Sequence, residues 1–341
     1  MGRNYCDECP YRFSDERAEV KYAVLMGSAL LAERLFGADL HALSSVPGTR
    51  LGPVVTAFTD DVLERIHDAE VLVTGWGAPE LTVEIIERLP NVDAIVHAGG
   101  YSPVPPAVRE RRLMRVSIAA DVNAVPVAEY TLAMILLANK EVFRSERLYR
   151  QHRRFIDREV AFPFAGNAYK TVGIVGASRI GRRVVELLRP FDLEIVLYDP
   201  YLSEVGAAEL GVELVPLAEL FKRSDVVSIH APATPETHHL VGKSELASLS
   251  DGATIINTAR GSLVDDEALL QQLISGRINA VLDVTDPAEP LPADSPFWDL
   301  PNVVLTPHMA GSTGTELLRI GKHVIAELRR VAVDESFATP A

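Results

Sequence analysis

The chain has 341 residues, enough for one large domain or two ordinary ones. Asp and Glu outnumber Lys and Arg by 47 to 33, so the formal charge is −14 and the pI lies near 5.1. That balance excludes nucleic acid and anionic membrane as bulk partners, and it leaves any anionic substrate to a local cationic site. Hydrophobic residues make up 48% and the mean hydropathy is +0.11, the composition of a core-rich globular protein and not of a disordered one.

Residues 1–19 read as a charged tail. It holds both cysteines, Cys6 and Cys9, spaced C-x-x-C. No histidine lies close in sequence to complete a zinc site, and no α/β setting surrounds them to make a redox pair, so no metal is expected. The tail lacks the apolar core of a signal peptide. Sparse cysteine use fits a reducing cytosol, so the chain is expected to be cytoplasmic.

From Val20 the pattern alternates. Val20–Met26 is a buried strand, Leu30–Phe36 a helix, and a strand lies near Val54 and Val55. A helix comes next over Asp61–His67, with Asp60 or Asp61 as its N-cap. Glu70–Thr74 is a strand, Pro79–Leu89 a helix, and Val92–Val96 a strand ending at His97, Ala98, Gly99 and Gly100. Alternation of this kind predicts a small α/β domain with a parallel sheet. Arg109–Arg115 (RERRLMR) reads as a solvated helical face, with an anion site as the other reading. Pro126–Asn139 is apolar all round and predicts a helix buried against more than one surface, joining two domains and two subunits. The longest apolar stretch, Tyr130–Ala138, is too short to span a bilayer. Gln151–Lys170 is a polar connection.

Thr171–Val184 (TVGIVGASRIGRRV) organises the second half of the chain. Thr171–Val175 is a buried strand, Ala177–Gly181 a turn, and Arg182–Leu188 a helix. Such a turn aims free N–H groups and the positive end of a helix dipole at one point, which suits a phosphate. The dinucleotide fingerprint is G-x-G-x-x-G with an acid about 20 residues on. Gly176 and Gly181 fill the first and third glycine places, and Ser178 fills the second. Either the phosphate sits further out there, or the Ser178 hydroxyl donates to it; the second is favoured. The acid is Asp199, ending the strand Glu194–Asp199. Its carboxylate can accept from both ribose hydroxyls and would repel a 2′-phosphate, and Pro200 and Tyr201 come after it in place of an arginine. NAD is therefore expected over NADP.

The alternation then runs on through strand Val212–Val215, helix Leu217–Arg223, strand Val226–His230, helix Lys243–Leu249, strand Thr254–Asn257, helix Asp265–Ser275, strand Ala280–Val284, strand Val303–Thr306 and a closing helix Thr313–Val331. Gly276 stops the helix that leads into the sixth strand. Sheets of this type bind ligands at the carboxyl ends of their strands. Those ends carry Thr258, Ala259 and Arg260; Asp283, with Glu289 soon after; and His308. His238 and His239 are neighbours whose side chains point apart, so they do not suggest a metal.

Taken together, VGIVGASRIG, SIHAPATPETHHLV, INTARGSLVDDEAL, LDVTDPAEPLP and LTPHMAGST resemble the D-isomer-specific 2-hydroxyacid dehydrogenases. The resemblance covers the chain from about Val92. It implies α/β architecture with two Rossmann-like or flavodoxin-like domains, each a doubly wound parallel sheet, the cofactor domain inserted in the substrate domain. The expected division is 1–122 plus 311–341 for substrate and 123–310 for NAD. It implies a catalytic set of Arg260, Glu289 and His308, and homodimers joined through the NAD domains. It places Gly176, Ser178, Arg179, Ile180, Gly181, Asp199, His230, Ala231, Pro232, Thr237, Thr258, Ala259, Arg260, Asp283, His308 and Gly311 along the cofactor. It places Ala98, Gly99 and Gly100, with Arg260 and His308, at the substrate.

The residue chemistry agrees with that expectation. Arg260 would hold the carboxylate of a 2-keto acid with its planar fork. His308 would give a proton to the ketone oxygen as hydride arrives, and Glu289 would orient the imidazole. Ala288 puts Glu289 one place later than the family pattern, with Asp286 as the fallback partner. Two alternatives stand beside a small 2-keto or 2-hydroxy acid substrate: an NAD(H)-sensing co-regulator on the same scaffold, and hydride removal from a one-carbon or phosphorus oxyanion.

Overall fold

The computed structural model describes residues 20–46, 49–287, 289–333 and 335–340. Cys6, Cys9 and Ala288 lie outside the described residues. The chain divides into two compact units, one made of residues up to Val122 together with those from Gly314 onward, the other of Asn123–Thr313.

The first unit holds five strands, β1 (Val20–Leu25), β2 (Thr49–Val55), β3 (Val71–Thr74), β4 (Ala94–His97) and β5 (Arg115–Ile118). All pair in parallel, in the order β2-β1-β3-β4-β5. That is the flavodoxin-like doubly wound order. Strands buried on both faces need apolar side chains throughout, which is why β3 and β4 are buried at every position. On one face lie Leu35, Phe36, Ile320 and Val324 from helices Ala29–Phe36 and Leu317–Ala332. On the other lie Leu63, Ile66, Ile86 and Leu89.

The second unit holds β6 (Lys170–Val175), β7 (Leu193–Tyr198), β8 (Glu213–Leu214), β9 (Val226–Ile229), β10 (Thr254–Asn257), β11 (Asn279–Leu282) and β12 (Val303–Leu305). Their order is β12-β11-β10-β9-β6-β7-β8, again parallel throughout. This is the Rossmann order with a seventh strand added at one edge. Val184, Val185 and Leu188 pack one face with Ala128 and Ile135, and Leu220, Phe221, Leu246 and Leu269 pack the other.

Several local expectations are corrected. The basic stretch is not one helical face: helix Pro106–Arg111 ends and Arg115 opens β5. The long apolar helix begins six residues earlier, at Ala120, with Pro126 buried inside it. At 20 residues it is long and apolar enough, by length and composition alone, to cross a membrane. Ala128 and Ile135, however, belong to the core of the second unit, as in a core helix of a globular fold. Val142–His152 forms a helix that the sequence pattern does not announce, and a short one at Arg158–Ala161 interrupts the expected polar connection. The helix expected over Pro79–Leu89 spans only Val83–Glu87, because Thr82 caps it through the Ile85 N–H. Thr59, not Asp60 or Asp61, is the cap before Asp60–Ile66. The fingerprint helix begins at Arg179, three residues ahead of Arg182, and the closing helix begins at Leu317 after a short 3₁₀ turn.

Candidate functional site

The second unit's strand order reverses between β6 and β9, and their carboxyl ends lie side by side there. Open sheets bind ligands at such a reversal. Gly176 comes directly after β6 with φ +101°, a conformation that favours glycine. A Cβ on it would come within 2.7 Å of the Ala231 nitrogen, just beyond β9. A Cβ on Gly181 would meet the Gly176 carbonyl oxygen at 2.0 Å. Both positions therefore admit no side chain, and together they bring bare backbone to the N-terminus of helix Arg179–Leu188.

Ser178 is that helix's N-cap: its Oγ accepts from the Gly181 N–H at 3.3 Å. Sequence reasoning does not assign this role, although a serine just before a helix signals it. The cap occupies one of the N–H groups a phosphate would use, while the hydroxyl proton stays free to be donated. Arg179 is exposed and Ile180 half-buried on the first turn.

Asp199 lies at the end of β7. One carboxylate oxygen accepts from the Ala177 N–H at 2.7 Å, in the glycine turn itself. The other accepts from Tyr201 and Leu202 N–H groups at 2.8 and 3.1 Å. The carboxylate is thus fixed against the turn. A cradle that a Cβ would fill, a helix N-terminus and an anchored strand-end acid together fit a dinucleotide with free ribose hydroxyls.

His230 is buried, with Nε2 2.9 Å from the Ser228 hydroxyl. Burial lowers its pKa to about 3, so the ring is neutral. Its backbone and that of Ala231, not the ring, lie against Gly176. Pro232 is exposed, and its carbonyl accepts from the Thr237 hydroxyl at 2.6 Å, folding that loop on itself.

At the end of β10, Thr258 is buried with its Oγ1 3.3 Å from that of Thr131. The Asn257 amide donates to the Arg260 carbonyl at 2.8 Å, and its oxygen accepts from Ala259 N–H at 3.0 Å. The Arg260 side chain is exposed, donating to its neighbour's carbonyl at 2.6 Å. Gly261 lies so close to the next loop that a Cβ would meet the Thr285 carbonyl carbon at 2.2 Å. The Arg260 loop therefore abuts the loop that carries Glu289.

After β12, His308 sits at φ +51°, rare for a side-chain residue. Asp283, 2% exposed, holds it there: its carboxylate accepts from Thr306 Oγ1 at 2.5 Å and from Met309 and Ala310 N–H groups at 2.8 and 2.9 Å. His308 N–H donates to the Asp283 carbonyl at 3.0 Å. Tyr130 OH lies 2.8 Å from Thr306 Oγ1, extending the network into the long helix. His308 Nδ1 is 2.7 Å from Glu289 Oε2, and the pair leaves Nε2 without a protein partner among the described residues. Asp286 does not take the Glu289 place: its backbone N–H bonds Asp266 instead. Gly311 lies beside Asn123, whose side-chain oxygen accepts from Ser312 N–H at 3.1 Å.

In the first unit, Ala98 and Gly99 are buried behind β4 and Gly100 is exposed. His97 lies beneath them, 1% exposed, its Nδ1 sharing a 2.8 Å hydrogen bond with Thr74 Oγ1. Burial lowers its pKa to about 4. Among the described residues no group of three or more His, Cys, Asp or Glu could hold a metal ion.

Fold and site define a dinucleotide-binding α/β protein with a carboxylate–imidazole pair at the strand ends of its nucleotide unit. Residues 132–310 match the sequence model of the D-isomer specific 2-hydroxyacid dehydrogenase, NAD binding domain. The chain belongs to that family. It is 34% identical over 282 residues to D-3-phosphoglycerate dehydrogenase of Methanocaldococcus jannaschii, covering 82% of this chain and 53% of that one. It is 33% identical over 270 residues to glyoxylate reductase of Korarchaeum cryptofilum, covering 78% and 81%. Among solved structures, D-lactate dehydrogenase of Escherichia coli superposes with a TM-score of 0.70 at 25% identity, over 94% of this chain and 99% of that one. The chain spans about half the length of the phosphoglycerate dehydrogenases it matches.

Proposed function

We propose that this chain is an NAD-dependent oxidoreductase that interconverts a small 2-keto acid and the corresponding D-2-hydroxy acid. The observation that carries the reading is the 2.7 Å Glu289–His308 pair, standing at strand ends of the NAD unit with Nε2 left open. NAD, when bound, supplies the hydride acceptor or donor; Gly176, Gly181, the Arg179 helix start and Asp199 would hold it. Arg260 would clamp the substrate carboxylate and polarise the neighbouring carbonyl. His308 would give a proton from Nε2 to the ketone oxygen in reduction, and take it from the hydroxyl in oxidation. The Glu289 carboxylate would accept a hydrogen bond from Nδ1–H, fixing the tautomer and stabilising the imidazolium.

In this reading the first unit, with Ala98–Gly100, is the substrate domain. The names of the relatives, glyoxylate reductase and D-3-phosphoglycerate dehydrogenase, support short acids carrying a carboxylate next to the reacting carbon. A homodimer through the NAD units is part of the proposal. Phe155, Phe164 and Tyr169 support it: they are 86%, 79% and 89% exposed within one stretch of that unit. A cytoplasmic location is supported by the two cysteines in 341 residues.

The test is NADH oxidation with glyoxylate, pyruvate, hydroxypyruvate, phenylpyruvate and phosphono-keto acids. Turnover that is lost in His308→Ala while NADH binding persists supports the proposal. Tight NADH binding without turnover on any acid overturns it in favour of a nucleotide sensor.

A further inference from the structure

The first unit contains a cavity of about 420 Å³ that the proposed reaction does not use. Its walls come from the β5 side of the sheet, helix Pro106–Arg111 and the segment after the closing helix. That last segment runs along the edge strand: Ile118 N–H donates to the Thr339 carbonyl at 3.3 Å, and Pro340 bridges antiparallel to Ser117. The lining is mainly apolar, Val104, Met114 and Phe337 among it, and also includes Arg109, Arg112 and Arg115. Pockets that bind small molecules have this volume and this make-up, a mainly apolar lining with a few fixed polar groups.

The charges in the lining decide what would enter. RERRLMR places four arginines and one glutamate in seven residues, within a chain of net charge −14. Two of the arginines are answered: Arg115 by Asp93 at 3.0 Å and Arg111 by Glu87 at 3.7 Å. The other two are not. Arg112 donates to the backbone carbonyls of Leu89 and Pro90, and Arg109 to the Ser102 hydroxyl. Neither makes an ion pair among the described residues. Two positive charges thus border an apolar cavity, with no carboxylate paired to them among the described residues. Carbonyl and hydroxyl partners fix a guanidinium in place without neutralising it, and a fixed, uncompensated guanidinium favours a bound carboxylate or phosphate. An inorganic ion would leave the apolar part of the lining uncovered, and a neutral apolar molecule would leave the guanidiniums unanswered.

We propose that this cavity is a binding site for a small organic monoanion, an acid group on an apolar body, separate from the nucleotide unit. The acid group would sit between Arg109 and Arg112, with the apolar body against Val104, Met114 and Phe337.

Isothermal titration calorimetry of the full chain with 2-naphthoate tests this, with neutral 2-naphthamide as the control. The expected result is one saturable site, weakened roughly tenfold or more in Arg109→Gln and in Arg112→Gln, and weakened similarly for the amide. Ser336→Trp, which places a ring into the cavity mouth, should abolish binding, and Arg260→Gln should leave it unchanged. Arg112 also braces two carbonyls, so thermal melts accompany each variant; Arg109 is exposed and gives an arm free of that concern. No saturable binding up to about 1 mM overturns the proposal. So does binding that survives both arginine replacements, or that is lost in Arg260→Gln.

Discussion

Glu289 and His308 lie 19 residues apart in sequence and 2.7 Å apart in space, joined through Oε2 and Nδ1. Two loops must be placed for that contact to form. Gly261 lets the Glu289 loop settle against the β10 end, and the Asp283 carboxylate ties down the loop that carries His308. Neither ring nor carboxylate is buried, so the pair is held by its loops and not by packing around it.

Glu289→Gln keeps an oxygen to accept a hydrogen bond from Nδ1–H but removes the charge that, in the proposed mechanism, steadies an imidazolium. The expected outcome is a fall in kcat of about 10²-fold with the NADH dissociation constant unchanged. Glu289→Asp should recover part of the loss. Steady-state kinetics beside NADH fluorescence titration checks both, and an unchanged kcat in Glu289→Gln would remove Glu289 from the mechanism.

Asp283 is buried and satisfies three donors, so its replacement leaves donors without acceptors. Asp283→Asn turns one oxygen into an NH₂ group facing an N–H. The expected cost is on the order of 2 kcal/mol in stability, with a fall in kcat as His308 leaves its left-handed backbone conformation. Thermal melts and turnover of the same preparation measure the two effects, and loss of neither would contradict the role given to the network.

Most of the sheet is legible in the sequence because parallel strands covered on both faces are largely apolar runs, as VLVT, AIVH and TIIN are apart from polar residues at their ends. β5 escapes for the complementary reason. RVSI is an edge strand that opens on Arg115, and its charge joins the helical run before it. Helix Val142–His152 buries none of its residues, so it carries no core-facing apolar repeat to read. Caps mislead where an acid adjoins a threonine: Asp60 looks like an N-cap, but Thr59 precedes it. The glycine turn and Asp199 are readable because each sits at the end of an apolar strand, at the spacing the dinucleotide fingerprint sets, although the Ala177–Asp199 bond that joins them spans 22 residues. The Glu289–His308 contact is long-range, and only the family resemblance points to it, across an inserted Ala288.

The anchoring of Asp199 by Ala177, Tyr201 and Leu202 predicts which cofactor is preferred. A carboxylate held against the glycine turn accepts from ribose hydroxyls and repels a 2′-phosphate. Asp199→Ala should weaken NADH binding about tenfold and leave NADPH binding no weaker, narrowing the ratio between them. Fluorescence titration with each cofactor reads the ratio; an unaltered preference would assign it elsewhere.

Asp266 predicts a pH effect in the second unit. Burial first, then the charges of Asp286 and Asp265, raises its pKa from 3.8 to about 6. The folded state therefore holds the proton more tightly than the unfolded one, and the stability this brings is present below pH 4 and lost as pH rises through 6. Asp266→Asn keeps an acceptor for the Asp286 N–H and removes the charge. Its Tm should exceed that of the parent at pH 8 and converge with it near pH 4. Equal Tm values across that window would refute the assignment.

His97 predicts the opposite slope in the first unit. Its ring is buried, Nδ1 bonds Thr74 Oγ1, and Nε2 has no partner among the described residues. Burial lowers its pKa from 6.5 to about 4. The unfolded chain then takes up the proton first, so the stability is whole above pH 6.5 and falls as pH drops towards 4. The full difference is on the order of 3 kcal/mol. His97→Gln retains a bond to Thr74 without a titrating ring, and should flatten urea-derived stability between pH 6.5 and 4. A variant as acid-sensitive as the parent over that interval would show that another group carries the slope.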